Sequence, residues 1–119
     1  MNNIDVLGLG SVTVDLIGTV ENWPAEGTKH LFRDFAVCDG GLIGTALTAV
    51  ARLGGKAAFA GKLGYSEMAE RAFESLSREG VDMSCVLRQK DAEPILVELL
   101  AAGVPPPPHR VRELSEKSW

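Results

Sequence analysis

Residues 39–64 read DGGLIGTALTAVARLGGKAAFAGKLG, and this stretch decides the fold. The glycine pair Gly40-Gly41 precedes an uncharged run in which apolar residues recur at helical spacing, and the second pair Gly54-Gly55 follows it. Glycine just past such a run is typical of a helix end, and a short apolar run between glycines suits a buried strand. The pattern therefore predicts a glycine turn, a helix over Ile43–Leu53 and a parallel strand over Lys56–Gly61.

The first glycine pair has two interpretations. Glycine lets the backbone approach a ligand closely, and the helix behind it points unpaired N–H groups and a positive dipole end at the same spot. Such a position favours oxygen-rich ligands, which include phosphates, carboxylates and sugar hydroxyls. A plain strand-to-helix turn that needs glycine for its backbone angles explains the pattern equally well, so both interpretations remain open at this point.

Size and charge narrow the classes of function. The chain has 119 residues, enough for one small domain, and its formal charge is -4. Because binding to nucleic-acid phosphates needs clustered Lys and Arg, which this sequence lacks, no nucleic-acid partner is expected. The longest uncharged run, Gly40–Ala51, is too short to span a bilayer, so no membrane partner is expected either.

The two cysteines help to predict the cellular location of the protein. Cys38 and Cys85 lie far apart without the spacing of a metal site, and they are predicted to be reduced, buried thiols, with a disulfide as the alternative. No basic segment followed by an apolar run opens the chain, as a secretory signal would. A cytoplasmic location is expected.

The first apolar segment, Ile4–Val14, is rich in Val, Ile and Leu and predicts a strand buried on both faces of a parallel sheet. Its glycines, Gly8 and Gly10, suggest a dinucleotide-binding turn. That hypothesis fails because Thr13 stands where the third glycine belongs, and because a further apolar run follows where a helix is required.

Asp15 follows this segment among apolar neighbours. A carboxylate in such a place must be solvated, paired or used, because burying it alone is costly. It can accept hydrogen bonds from two neighbouring hydroxyls of a polyol. A turn aspartate that bonds its own backbone is the alternative interpretation.

The remaining elements complete an α/β pattern. Ser66 is a predicted N-cap, Gly80 ends the helix that follows it, and Val81–Leu87 is a predicted third strand. Strand, helix, strand, helix, strand is typical of a parallel sheet with flanking helices. Residues 29–38 have β-type composition and predict one or two short strands that project as a flap, called here the flap 29–38.

Several motifs together resemble the N-terminal part of the ribokinase-like (PfkB) carbohydrate kinases, from Asp5 to about Pro94. They are Gly10-Ser11, Asp15, a turn from Pro24 to Gly27, the run GG-x-x-G-x-A-x-x-A-x-A-R-L-G-G over Gly40–Gly55, and G-x-L-G over Gly61–Gly64. The resemblance implies an α/β fold, in which part of the ribokinase-like parallel sheet with flanking helices carries a small β-flap as a lid.

The resemblance also implies a site and a reaction, namely phosphoryl transfer from ATP, with Mg²⁺, to a hydroxyl of a sugar or sugar phosphate. In the family an aspartate at the position of Asp15 binds sugar hydroxyls, and the pair matching Gly40 and Gly41 lines the sugar pocket. Thr45 and Thr13 stand where family members carry asparagine and complete the implied substrate-binding set. The flap closes over the pocket and often meets a second subunit, which implies a homodimer through residues 29–38.

The sequence departs from the family after residue 94. Family members carry a later G-x-G-D segment with the catalytic aspartate and most of the ATP site, and no such segment, nor a G-x-x-x-x-G-K-[ST] loop, occurs in the 119 residues. No catalytic residue or metal ligand is therefore assigned. We expect a substrate-binding and lid part over residues 1–94 and a divergent, flexible tail over residues 95–119 that contains Pro105–Pro108.

These departures predict a truncated kinase that is inactive alone, with apolar sheet edges left exposed. A non-catalytic fragment that binds a polyol or associates with itself is the alternative.

Overall fold

The structure is a computed structural model that describes residues 3–102. Its elements in chain order are β1 (Val6–Leu9), β2 (Thr13–Val20), β3 (Asp34–Gly40), α1 (Leu42–Arg52), β4 (Ala57–Leu63), α2 (Glu67–Arg78), β5 (Asp82–Arg88) and β6 (Ile95–Ala102). Within residues 3–102, neither helix is long and apolar enough to cross a membrane. The described residues divide into two compact units: the first holds residues 3–14 and 39–95, and the second holds residues 15–38 and 96–102.

The first unit contains a parallel sheet with the strand order β1-β4-β5. Both helices pack on these strands, α1 on β1 and β4 and α2 on β5. Leu47, Phe59 and Leu63 are fully buried and form the centre of the core. The predicted α/β class is confirmed. The structure has a parallel sheet with two helices and an antiparallel pair of strands.

Both helices begin and end close to the predicted residues. Ser66 caps α2 as predicted, because its hydroxyl accepts a hydrogen bond of 3.1 Å from the Ala69 N–H. Helix α1 begins and ends one residue earlier than predicted. Leu53, the last residue of the predicted helix, is 89% exposed and follows the last helical residue.

The prediction of one strand buried on both faces over Ile4–Val14 is wrong. The chain forms two strands, β1 and β2, with an irregular segment at residues 10–12 between them. On β1, Gly8 faces α1, since a Cβ there would stand 2.7 Å from Ile43 Cγ2 and 2.8 Å from Leu47 Cδ1. Leu7 and Leu9 point to the other face and are exposed. Gly8 thus makes room for α1. This packing role explains a glycine that, in the sequence, suggested a dinucleotide-binding turn.

The second sheet has the order β3-β2-β6, and β2 and β3 form an antiparallel pair. Within the second unit, the Phe32 ring covers Gly18, and it stacks on the Phe35 ring with centroids 5.7 Å apart. The Thr19 hydroxyl accepts a hydrogen bond of 3.2 Å from the Asp34 N–H. The flap 29–38 is therefore tied to β2.

Two further predictions concern the tail and the cysteines. Strand β6 occupies residues 95–102, on the tail side of the boundary predicted after residue 94. The rest of the predicted tail, with its proline run, lies outside the described residues. Cys38 and Cys85 form no disulfide in the described part of the chain; Cys38 is buried as predicted, whereas Cys85 is half-buried.

Candidate functional site

The beginning of α1 differs from that of α2. Gly41 is the N-cap of α1, no side chain caps the helix, and no acidic residue lies in its first turn. In contrast, α2 has the Ser66 hydroxyl as its cap and carries Glu67 and Glu70 in its first turn. Because the first N–H groups of a helix have no partner within it, the start of α1 presents donors and a positive dipole end that no side chain of the helix neutralises.

Gly41 is held against the segment that follows β1. Its φ is +91°, and a Cβ at this position would stand 2.6 Å from the Ser11 carbonyl oxygen, 2.8 Å from the Val12 Cα and 2.9 Å from the Thr13 nitrogen. Any side chain would collide with backbone atoms, which cannot move aside cheaply. Glycine is thus required here both for its backbone angle and for close approach.

A small cavity lies beside the glycine pair and holds about 10 Å³, room for about one water molecule. It is lined by strand ends and by both helices: Val12, Thr13, Asp39, Gly40, Gly44, Thr45, Thr48, Ala72, Ser75 and Leu76. Four of these side chains carry hydroxyls. The cavity is therefore a small notch within the first unit, in which four hydroxyls stand among apolar groups and can bond a single polar group.

The structure brings together three of the five predicted site residues around this cavity, namely Thr13, Gly40 and Thr45. Gly41 is the next residue of the turn. Asp15 is not among the lining residues; it belongs to the second unit, where it is half-buried on β2.

Two of the four hydroxyl residues that line the cavity were not predicted. Thr48 and Ser75 are both buried, on α1 and α2 respectively. Sequence reasoning missed them because each hydroxyl lies on a helix face whose other buried residues are small or apolar. The helical spacing of apolar residues predicts which face of a helix is buried. It does not predict that hydroxyls on two such faces will meet.

An ion pair also borders the cavity. Arg71 Nη2 donates to Asp39 Oδ2 at 3.3 Å, and Arg71 Nε lies 2.9 Å from Asp39 Oδ1. Asp39 immediately precedes the glycine pair, and Arg71 lies on α2. Neither residue was singled out from the sequence, because 32 positions separate them and no local pattern links them.

This chain is similar to one protein family and to several solved structures. The model of the pfkB family carbohydrate kinases matches residues 3–103. A candidate ribokinase from Agrobacterium tumefaciens is 27% identical to this chain with a TM-score of 0.72, and the match covers 90% of this chain and 37% of that one.

Two other solved structures are also similar to most of this chain. A fructokinase with bound ATP from Xylella fastidiosa is 28% identical with a TM-score of 0.65, over 80% of this chain and 29% of that one. A ribokinase from Arabidopsis thaliana, complexed with ribose and ATP, is 21% identical with a TM-score of 0.70, over 79% and 31%; this likeness shows the fold alone. The chain thus spans about a third of the length of the proteins that it matches.

Proposed function

The chain belongs to the pfkB family of carbohydrate kinases, and from that membership we propose that it serves ATP-dependent sugar phosphorylation by holding the sugar. In this proposal the chain contributes the substrate-binding part and is inactive alone. The ligand is a small sugar, with a sugar phosphate as the alternative.

The observation that carries the proposal is the uncapped start of α1 beside a notch lined by hydroxyls. Sugar hydroxyls both donate and accept hydrogen bonds, so they suit a site that offers backbone N–H groups together with threonine hydroxyls. Gly40 and Gly41 present backbone groups to the sugar in this proposal, and Thr45 and Thr13 present hydroxyls. Asp15 accepts hydrogen bonds from neighbouring sugar hydroxyls.

In members of the family, bound ATP supplies the phosphoryl group, and Mg²⁺ neutralises its charge. The groups around the notch suit them poorly. Asp39 is the one carboxylate that lines the notch, and Arg71, which lies close to it, is already paired with that carboxylate. The proposal therefore assigns the sugar to these residues and gives ATP no place among them.

A coupled ADP-release assay tests the proposal that the chain is inactive alone. The full chain is assayed with ATP and a panel of sugars, sugar phosphates and nucleosides, with and without Mg²⁺, against an Asp15→Ala control. We expect no turnover above the control, because a positioned base contributes about 10²–10⁴ in rate and no G-x-G-D segment supplies one here. Turnover above the control would mean that the chain assembles a catalytic base of its own.

A second candidate function, self-association through the flap, has its own observation. Leu31 is 92% exposed, and Phe32 and Phe35 are each about half exposed. Three large apolar side chains within five positions of one loop and strand are typical of a contact surface. A homodimer through the flap 29–38 would account for them.

A further inference from the structure

We propose that Arg71 is a positioning residue for the sugar site, which it serves by holding Asp39 and thereby fixing the glycine pair Gly40-Gly41. Arg71 itself need not touch the sugar. The inference rests on the proposed function, and the experiment below separates the failure of one from the failure of the other.

The contact between the two side chains is an ion pair with one hydrogen bond. Arg71 Nη2 donates to Asp39 Oδ2 at 3.3 Å, and Arg71 Nε lies 2.9 Å from Asp39 Oδ1 without the geometry of a second hydrogen bond. Charge attraction at this distance holds the carboxylate beside the guanidinium. The Asp39 side chain is only 13% exposed, so water competes weakly for its oxygens.

The glycine pair is restrained through its backbone: Gly40 is the last residue of β3, and Gly41 packs closely against residues 11–13. Glycine has no side chain to anchor and more backbone freedom than any other residue, so such a pair depends on these contacts and on its neighbours. After the pair, the Thr45 N–H donates to the Gly41 carbonyl at 2.9 Å, which restrains the turn from the helix side. Before the pair, Asp39 is the adjoining residue, and its ion pair with α2 restrains the turn from the strand side.

Charge gives Arg71 a second effect on the site. Asp39 lines the hydroxyl notch, and its carboxylate would stand there as a poorly solvated anion if Arg71 were removed. Such a group attracts a new partner or water and moves to reach it. Loss of Arg71 is therefore expected to displace Asp39, and with it the turn that follows.

The test compares two ion pairs of the same kind in the same unit. Arg52, the last residue of α1, pairs with Glu79 through Nη2 and Nε at 2.6 and 2.8 Å. It lies at the opposite end of α1 from Gly41, about 16 Å away at 1.5 Å per residue. Arg52→Met therefore removes an arginine–carboxylate ion pair without touching the glycine turn, and it is the control for Arg71→Met.

Sugar binding is the first readout. The full chain and its variants are titrated with D-ribose and D-fructose by calorimetry. We expect Arg71→Met to raise Kd on the order of tenfold, equivalent to about 1.4 kcal/mol, and Arg71→Lys to recover part of the loss. Arg52→Met should leave Kd unchanged. Equal Kd values in Arg71→Met and wild type would overturn the inference.

Amide hydrogen exchange in the sugar-free chain is the second readout. We expect faster exchange at residues 40–42 in Arg71→Met, and no change there in Arg52→Met. If the wild type binds neither sugar, the proposed function fails, and exchange alone decides the positioning role. Unchanged exchange at residues 40–42 would then overturn it. Should Arg71→Met not fold, Asp39→Asn removes the same charge pair with a smaller change and is measured in the same way.

Discussion

Gly41 is the residue of the candidate site whose type is most strictly limited by its surroundings. Its φ of +91° and the backbone atoms of residues 11–13 exclude any side chain. The sequence predicts this glycine pair well, because a turn before a helix leaves a local signature. It does not predict the Asp39–Arg71 pair, because which charges meet depends on the packing of α2 against the end of β3.

Gly41→Ala is predicted to destabilise the chain more than Gly54→Ala does. Gly54 has nearly the same φ, +88°, yet a Cβ there would meet nothing within 4 Å. The control therefore carries only the backbone strain, about 1–3 kcal/mol, whereas Gly41→Ala adds a collision with backbone.

Urea unfolding of the two variants and the wild type measures the difference in the free energy of unfolding. Equal losses in the two variants would show that the close approach to residues 11–13 does not constrain the turn.

Among the elements, α2 is the one that the sequence describes most completely. Its cap, Ser66, and the glycine that follows its end, Gly80, are local patterns, and the helix lies between them as predicted. The burial of β1 was not predictable in the same way. An apolar strand shows that it can be buried, but only the packing shows whether anything covers its second face.

The cap of α2 gives a prediction at this scale. Ser66→Ala removes the hydroxyl that accepts the Ala69 N–H, and it should cost about 1 kcal/mol of unfolding free energy. Ser77→Ala is the control, because Ser77 is exposed near the end of the same helix and alanine is the better helix former. In urea melts we expect a lower midpoint for Ser66→Ala only; a matching loss in Ser77→Ala would contradict the capping role.

The link between the C-terminal ends of the helices gives a pH prediction. The hydrogen bond from Arg52 holds the pKa of Glu79 below its ordinary value of 4.5. A lowered pKa in the folded state stabilises the fold above the unfolded value, and this contribution disappears as pH falls through the folded value. Because the Arg52 and Glu79 side chains are 42% and 23% exposed, solvent screening keeps this effect small.

Thermal melts of wild type and Glu79→Gln from neutral pH to below pH 4 measure this contribution. The wild type should be the more stable at neutral pH, and the gap should close as the pH falls below 4.5. A gap that stays constant down to the lowest pH would mean that the Glu79 carboxylate does not contribute through its charge.

At the scale of the whole molecule, the sheet of the first unit presents an apolar face. Leu7 and Leu9 on β1 share that face with Leu87 on β5, as the parallel register and the alternation along each strand require. They are 49%, 70% and 64% exposed respectively. The prediction named apolar sheet edges, whereas in the described residues these three leucines lie exposed on one face of the sheet.

We predict that the chain associates with itself through one of two apolar surfaces, and sedimentation velocity distinguishes them. Leu9→Ser should reduce association if the sheet face is the contact, and Leu31→Ser should reduce it if the flap 29–38 is. Leu53→Ser is the control, because Leu53 is 89% exposed at a helix end and belongs to neither surface. A wild type that stays monomeric over the accessible concentration range would contradict both.

Membership of the pfkB family could be predicted from the sequence, because the glycine spacing and the elements around it are specific in combination. The site could be predicted only in part. Thr13, Gly40 and Thr45 meet at one notch, but Thr48 and Ser75 join them through helix packing that no local pattern encodes.

Sugar binding by the full chain tests the central claim most directly. Wild type, Asp15→Ala and Glu21→Ala are titrated calorimetrically with the sugar panel; Glu21→Ala removes an exposed carboxylate just after β2 and controls for the loss of one negative charge. We predict saturable binding of at least one sugar to wild type and Glu21→Ala, and its loss in Asp15→Ala. Absence of binding to every sugar, or equal binding by Asp15→Ala, would contradict the account.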